Sequence, residues 1–397
     1  MKRYKMTLTI LSPVHIGSGQ DIDPTEYVVK NGVFYRIDLV RFLSGMQPNL
    51  RAEFDRRVSD PNPFVIRDFI RNHVDPEKYA CFKAEAGAFE QVYQESLSNP
   101  NRQLEVSLFT RTPGTWRAYI PGSSIKGAIR TAVINTLAQE KKESVRQKKQ
   151  EAEAKAKERA EQIIKELKQA HKKYDEEKIY QQQLQKTYEK FGKTQLEPLC
   201  LKQYKFNPQT DPFRCIKVED VYLPDNSSTF VGQLKLFHCI KKTYTNVQMF
   251  CEQTYSLLHG KTVTAEGILT IDDVLLQKTK DSSNPAVSMA ITHEMIIKSC
   301  QDFYWPKMED EDENFYLEQE KGNPELFSNS EKLLLHCPYN DKKNEFLLRI
   351  GRFSHVECTT VDEFREPYNS RGWGKSRTLS GGTMPMGWVK VRLEPIS

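Results

Sequence analysis

The sequence predicts an α+β protein of two globular parts separated by a long charged helical insertion, and three observations carry that prediction. Short runs in which apolar and polar residues alternate, the mark of half-buried strands, occur near both ends of the chain. Helical stretches lie between them. The segment from Ala128 to Phe191 holds neither glycine nor proline and is dominated by Lys, Glu, Gln, Ala and Arg, so helix is nearly forced there. A chain of 397 residues exceeds one typical core and falls short of four. The expected division is therefore 1–138, an insertion at 139–195, and 196–397, with strands that the two outer parts can share.

Taken in order, Tyr4, Met6, Leu8 and Ile10 alternate with Lys5, Thr7 and Thr9, which predicts a strand with one buried face. A loop, Ser12-Pro13-Val14-His15-Ile16-Gly17-Ser18-Gly19, follows. Residues 27–30 and 33–37 flank Asn31-Gly32, the dipeptide that suits a type I′ hairpin turn. Asp38 is placed to cap a helix, and a mostly helical stretch is expected to about residue 98. Residues 104–109 and 116–120, joined through Pro113-Gly114, suggest a second hairpin. Ser123 or Ser124 can then cap a helix carried on by Ile125, Ile129, Ala132 and Val133.

In the insertion, Ile163, Leu167, Ala170 and Tyr174 repeat at helical spacing, whereas residues 140–158 offer alanines as almost their only apolar contacts, too few for a buried seam. One long exposed helix of about 96 Å or a helical hairpin is expected. The second half alternates again: strands at 215–218, 230–240 and 262–271, and a helix near 285–304, a pattern a βαββαβ order would fit. Residues 306–331, with the acidic run Glu309 to Glu313, read as a mobile linker. A strand at 345–350 stops at Gly351, and a glycine-rich tail runs through Gly374, Gly381, Gly382 and Gly387 into a final strand at 389–393.

Composition narrows the function. The net charge is +5, and residues 139–193 hold 16 Lys/Arg against 11 Asp/Glu, leaving 42 of each sign elsewhere. Any nucleic-acid affinity of the globular parts must come from local clustering. No stretch approaches the roughly 18–20 apolar residues of a membrane span, and the N-terminal residues lack a signal-peptide core, so a cytoplasmic protein is expected. The eight cysteines form no CxxC and read as reduced core thiols. The pairs His336/Cys337 and His355/Cys358 lack a second pair at zinc spacing, so neither metal nor cofactor is expected.

Three glycine-bearing segments carry basic or hydroxyl groups. Glycine lets backbone approach a phosphate and a helix start offers free amides, so Ser123, Ser124 and Lys126 form a candidate phosphate cradle, with Arg130 one turn beyond. The order is not that of a Walker A loop, so nucleotide hydrolysis is unsupported. In the tail, Arg371, Lys375 and Arg377 interleave with Trp373 and glycines, including Gly381 and Gly382, a mixture that suits single-stranded RNA. His15 is the acid/base candidate, able in principle to activate a ribose 2′-hydroxyl, though no partner lies near it in sequence. Asp21 and Asp23 are candidate metal carboxylates without further support.

Together, Leu11 to Gly19, Ile120 to Ala132 and the C-terminal glycine loop resemble the RAMP superfamily of CRISPR proteins. In order and spacing they most resemble its crRNA 3′-end capping subunits, the fifth subunit of type III-A Csm effector complexes. The charged insertion lies outside the resemblance. The resemblance implies two ferredoxin-like, RRM-related domains whose glycine loops and cleft hold crRNA, and a non-catalytic subunit that supports assembly and 3′-end maturation in antiviral defence. Its implied partners are crRNA, target RNA near the crRNA 3′ end, the neighbouring backbone RAMP subunit, the small subunit and recruited host nucleases. The RNA-binding residues expected on both grounds are His15, Gly17, Ser18, Gly19, Ser123, Ser124, Lys126, Arg130, Arg371, Trp373, Lys375, Arg377, Gly381 and Gly382. The alternative is a metal-independent crRNA-processing endoribonuclease of the same superfamily using His15.

Overall fold

In the computed structural model the described residues are 1–96, 104–238, 243–277, 285–336, 343–362 and 376–396. The strands are β1 (Lys2–Ile10), β2 (Gly17–Ile22), β3 (Tyr27–Lys30), β4 (Val33–Ile37), β5 (Ala80–Glu85), β6 (Val106–Phe109), β7 (Tyr119–Ile120) and β8 (Ile216–Val218). They continue as β9 (Val221–Tyr222), β10 (Thr229–His238), β11 (Thr243–Thr254), β12 (Thr264–Ile271), β13 (Glu345–Arg349), β14 (Ser376–Ser380) and β15 (Trp388–Pro395). The helices are α1 (Leu39–Ser44), α2 (Pro48–Val58), α3 (Pro63–His73), α4 (Pro76–Tyr79), α5 (Phe89–Ser96) and α6 (Gly122–Glu140). After them come α7 (Lys142–Gln169), α8 (Glu176–Phe191), α9 (Glu197–Cys200), α10 (His293–Glu311), α11 (Pro324–Leu335) and α12 (His355–Thr359).

The alternation at the N-terminus does what it predicts: Tyr4, Met6, Leu8 and Ile10 are buried in β1. β1 sits inside a five-stranded sheet of order β13-β15-β1-β12-β8, with every pair antiparallel. Along the chain the relevant elements run β1, α6, β8, β12, α10, β15, a βαββαβ succession with β13 added at the edge. Helices α6 and α10 pack against each other, and Tyr304 Oη of α10 donates to the Ala128 carbonyl of α6 at 3.0 Å. Ile125, Ile129, Ala132 and Val133 of α6 meet Ile296, Cys300 and Phe303 of α10 in the main core over this sheet.

The second sheet has the order β2-β6-β11-β10-β5-β4-β3, with β14 on the C-terminal half of β10. The Asn31-Gly32 turn joins β3 to β4, with positive φ at both residues as a I′ turn requires. Both sheets draw strands from before residue 138 and after 196, so the two expected parts share strands. The βαββαβ order belongs to the first sheet, and the second follows a different one.

Four sequence expectations need correction. The stretch after Asp38 is not continuously helical: β5 interrupts it, with Phe82 and Ala84 buried at alternate positions. Residues 104–120 make only a local turn, Arg111 bridging Ala118, because β6 pairs with β2 and β11 while β7 pairs with β9. The insertion takes the hairpin form of the two expected, α7 and α8, turning through His171 at φ 50° and restarting where Asp175 caps the Lys178 amide, and the correction concerns its seam. Its inner ridge is alanine after all: Ala152, Ala156 and Ala160, one per turn, are buried and let the helices approach closely. Finally, residues 306–331 are no linker. Helix α10 runs through Pro306 to Glu311, a π-turn and a 3₁₀ turn follow, and α11 begins at Pro324. Glu311 and Asp312 are buried because Arg349, Arg377 and Ser330 satisfy their carboxylates. Among the described residues no helix is long and apolar enough to cross a membrane.

Candidate nucleic-acid interface

The loop after β1 crosses from the first sheet to the second and carries His15 into the interior. His15 is 1% exposed, and its Nδ1–H donates to the Glu252 carbonyl of β11 at 2.7 Å, leaving Nε2 as the unprotonated ring nitrogen. Burial pushes its pKa below the ordinary value, against the opposing pull of Glu252, so the ring is neutral at neutral pH. Nε2 is buried without a hydrogen-bond partner among the described residues. A ring so enclosed, with Nδ1 engaged by the Glu252 carbonyl, orders its loop. Glu252 is itself paired with Arg111 and accepts the Phe109 amide at 3.0 Å, which ties the loop to β6.

Gly17, Ser18 and Gly19 follow at the surface, in the exposed part of β2 where the pairing with β6 bulges between Gly17 and Asp21. Gly17 and Gly19, with Ser18 exposed between them outside the lining, form one lip of a cleft of about 670 Å³. Asp21 lies in it and accepts from Ser107 Oγ at 2.6 Å, while Asp23 turns away to cap Thr25. Among the described residues no three His, Cys, Asp or Glu side chains gather as a metal site.

The opposite lip is α6. Gly122 enters against β8 so closely that a Cβ would lie 2.1 Å from the Val218 carbonyl, and its amide donates to Asp220 Oδ1 at 2.8 Å. The first amide of the helix is therefore already matched to a carboxylate within the chain. Ser124, Gly127, Ala128 and Thr131 line the cleft. Lys126 and Arg130 lie on the other side of the helix, as a 100° step per residue requires. Arg130 pairs with Glu197 at 2.5 Å and Asp211 at 2.9 Å and stacks on Phe213. Lys126 is half-buried, and desolvation lowers its pKa while Asp211 opposes the shift. The expected cradle of Ser123, Ser124 and Lys126 is thus divided: Ser124 faces the cleft, Ser123 is exposed at the helix start, and Lys126 with Arg130 belongs to a neighbouring face.

The tail contributes less than its composition suggests. Arg371, Trp373 and Lys375 lie outside the described residues. Arg377 is 3% exposed, bound to Glu311 at 2.6 Å and Glu357 at 3.0 Å and stacked on Phe315, so its guanidinium holds α10 and α12 together and is shielded from solvent. Gly381 and Gly382 make a tight turn over β10, where the Gly381 amide donates to the Gln233 carbonyl at 2.9 Å.

The third wall comes from a segment to which the sequence assigns no role, the glycine stop after β13. Gly351 has φ 92°, and a Cβ there would lie 2.5 Å from the His15 carbonyl, so only glycine fits. The next amide, that of Arg352, donates to that carbonyl at 2.9 Å, and the Arg352 side chain is exposed on the cleft wall. The sequence signal for it is an apolar strand ending at Gly-Arg-Phe. The cleft thus joins glycine backbone, the Ser124 and Thr131 hydroxyls and one exposed guanidinium. These groups suit contacts to phosphate and ribose without base reading.

Comparison with known proteins bears on family and fold. The family model for the RAMP superfamily matches residues 7–353. A Streptococcus thermophilus protein named CRISPR system Cms protein Csm5 is 29% identical over 147 residues, 36% of this chain and 41% of that protein. The chain therefore matches about two-fifths of that relative's length. A chain in a cryo-EM structure of a Csm–crRNA–target RNA ternary complex has a similar fold, with TM-score 0.60, 18% identity, and coverage of 98% of this chain and 100% of that one. The crystal structure of T. onnurineus Csm5 gives TM-score 0.56 at 18% identity, covering 96% of this chain and 99% of that chain.

Proposed function

Because this chain belongs to the RAMP superfamily, we propose that it is a non-catalytic RNA-binding subunit of a type III-A CRISPR ribonucleoprotein. It caps the crRNA at its 3′ end and supports assembly of the complex and maturation of that end. The observation that carries this reading is the cleft in which Gly17 and Gly19, the Ser124–Thr131 face of α6 and Gly351–Arg352 converge. Its glycine backbone, hydroxyls and exposed Arg352 hold a phosphodiester chain in place, while base pairing elsewhere supplies sequence specificity. A His15 ring that is buried and neutral, with Nδ1 engaged, favours binding over cleavage. A solved chain of similar fold is described in complex with crRNA and target RNA. We take these two RNAs as ligands, and the neighbouring backbone RAMP subunit and the small subunit as protein partners.

The test is retention and length of end-labelled crRNA on the purified protein, with magnesium and with chelator. Intact, retained RNA is expected in both. Arg352→Glu should weaken retention roughly tenfold, since one phosphate contact is replaced by repulsion. Discrete cleavage that disappears in His15→Ala would overturn the reading in favour of an endoribonuclease, and unchanged retention in Arg352→Glu would remove the cleft from it.

A further inference from the structure

Immediately after α9 the chain runs Leu201-Lys202-Gln203-Tyr204-Lys205-Phe206-Asn207, and its outward face is unusual. Tyr204 is fully exposed and Phe206 is 45% exposed, with Lys202 and Lys205 exposed between and beside them. Among the described residues, no hydrogen bond, ion pair or ring contact engages these four side chains. Rings left in water forgo the stabilisation that burial gives most aromatic side chains of this fold.

The backbone beneath them is nonetheless held firmly. Lys202 takes a left-handed φ of 54°, and the Gln203 amide donates to the Pro198 carbonyl at 2.8 Å. The inward-facing Gln203 Nε2 donates to the Asn207 carbonyl at 2.8 Å and Thr210 Oγ1 at 2.9 Å, and Asn207 Oδ1 accepts the Gln209 amide at 2.9 Å. Leu201 anchors the loop in the main core. The result is a rigid loop that presents two rings and two ammonium groups to solvent, with no carboxylate between Leu201 and Thr210. Arg130 and Lys126 lie on the adjoining face of α6, next to Asp211 at the end of the same loop.

We propose that residues 202–206 form a second RNA contact outside the cleft, in which Tyr204 and Phe206 stack on unpaired bases and Lys202 and Lys205 meet the flanking phosphates. This inference rests on the RNA-binding function proposed above. Interleaved rings and lysines suit a single strand, because every base offers a stacking face and each phosphate a charge. Lysine is depleted at protein–protein interfaces, which weighs against a protein partner for this surface.

The experiment measures binding of the full-length protein to fluorescently labelled single-stranded crRNA across a salt series. Tyr204→Ala/Phe206→Ala should weaken binding at least about fivefold without changing the salt slope, and Tyr204→Trp/Phe206→Trp should restore it. Lys202→Ala/Lys205→Ala should lower the salt slope by about 1.4, two single-strand phosphate contacts. All four positions are exposed, so the variants fold. If the aromatic variant binds RNA like the parent, the proposal is wrong. It is equally wrong if that variant keeps RNA but loses a protein neighbour on reconstitution, which would make the loop a subunit contact. If the parent itself does not retain RNA, the underlying functional reading fails instead, so the two failures are distinguishable.

Discussion

Arg349 and Arg377 converge on one buried carboxylate, that of Glu311, and this arrangement sets how the protein responds to acid. Burial alone raises the Glu311 pKa, but the two guanidinium groups hold it at about 2. Burial holds His355 at about 3, with Arg349 adding to the effect, and burial holds His259 at about 4. In the unfolded chain these histidines take protons near 6.5 and the carboxyl near 4.5. The unfolded state therefore binds more protons in acid, and stability falls as pH drops through about 6.5, then again below about 4.5. Urea midpoints followed by circular dichroism from pH 7.5 to 4 should decline steadily from about 6.5, and His259→Asn/His355→Asn should flatten the upper part. A parent profile flat between pH 7 and 5 would contradict this. Arg377→Ala should destabilise by about 3 kcal/mol, because Glu311 keeps Arg349 but loses one of its two guanidinium partners and Glu357 loses its pairing with Arg377. RNA retention per folded molecule should stay at the parent level, which separates this arginine from the RNA-contacting role its loop suggests in the sequence.

The helical hairpin shows which kinds of element a sequence discloses and which it conceals. Absence of glycine and proline makes helix certain, but the turn at residues 170–175 has only a left-handed histidine and the Asp175 cap to mark it. The alanine ridge is hard to read because a seam usually shows itself in large apolar residues, whereas two helices can also join by close approach over small ones. Ala156→Glu places a charge in that ridge, so amide hydrogen exchange along α8 should accelerate at least tenfold while the thermal midpoint of the two-sheet body holds. Unaltered exchange in α8 would mean the hairpin does not depend on the ridge. The segment at 306–331 misleads in the opposite way. Its charge looks solvated, yet the residues that neutralise Glu311 lie 38 and 66 positions further on, beyond any local pattern. Strand β5 is legible in principle from Phe82, Ala84 and Ala86 alternating with Cys81, Lys83 and Glu85.

Across the whole molecule, the strands that announce themselves, β1, the β3–β4 hairpin, β8, β10, β12, β13 and β15, are those with local alternation, a short apolar run or a turn signal. Their neighbours are not legible, because pairing joins residues far apart in the chain and composition does not encode which distant strand is next. The same holds for the cleft. Its glycine loop and helix start stand out as motifs, but Gly351 and Arg352 join them only through the hydrogen bond to the His15 carbonyl. The side of α6 that each cation occupies becomes decidable only when β8 and α9 are in place.

Pairing of β1 with β15 also places a demand on the order of events during synthesis. Residue 388 leaves the ribosome 378 positions after residue 10, about twenty seconds to over a minute later at roughly 5–20 residues per second. Through that interval Met6, Leu8 and Ile10 have β12 as their only sheet neighbour, and before Thr264 is made they have none. The nascent chain thus carries an apolar strand edge that needs shelter, and this central sheet is the last to close. Stalled chains ending before residue 388 should be cut by protease between β1 and β12, and chains extended past Pro395 should resist. Protection of the shorter chains would show that the sheet forms without its final strand.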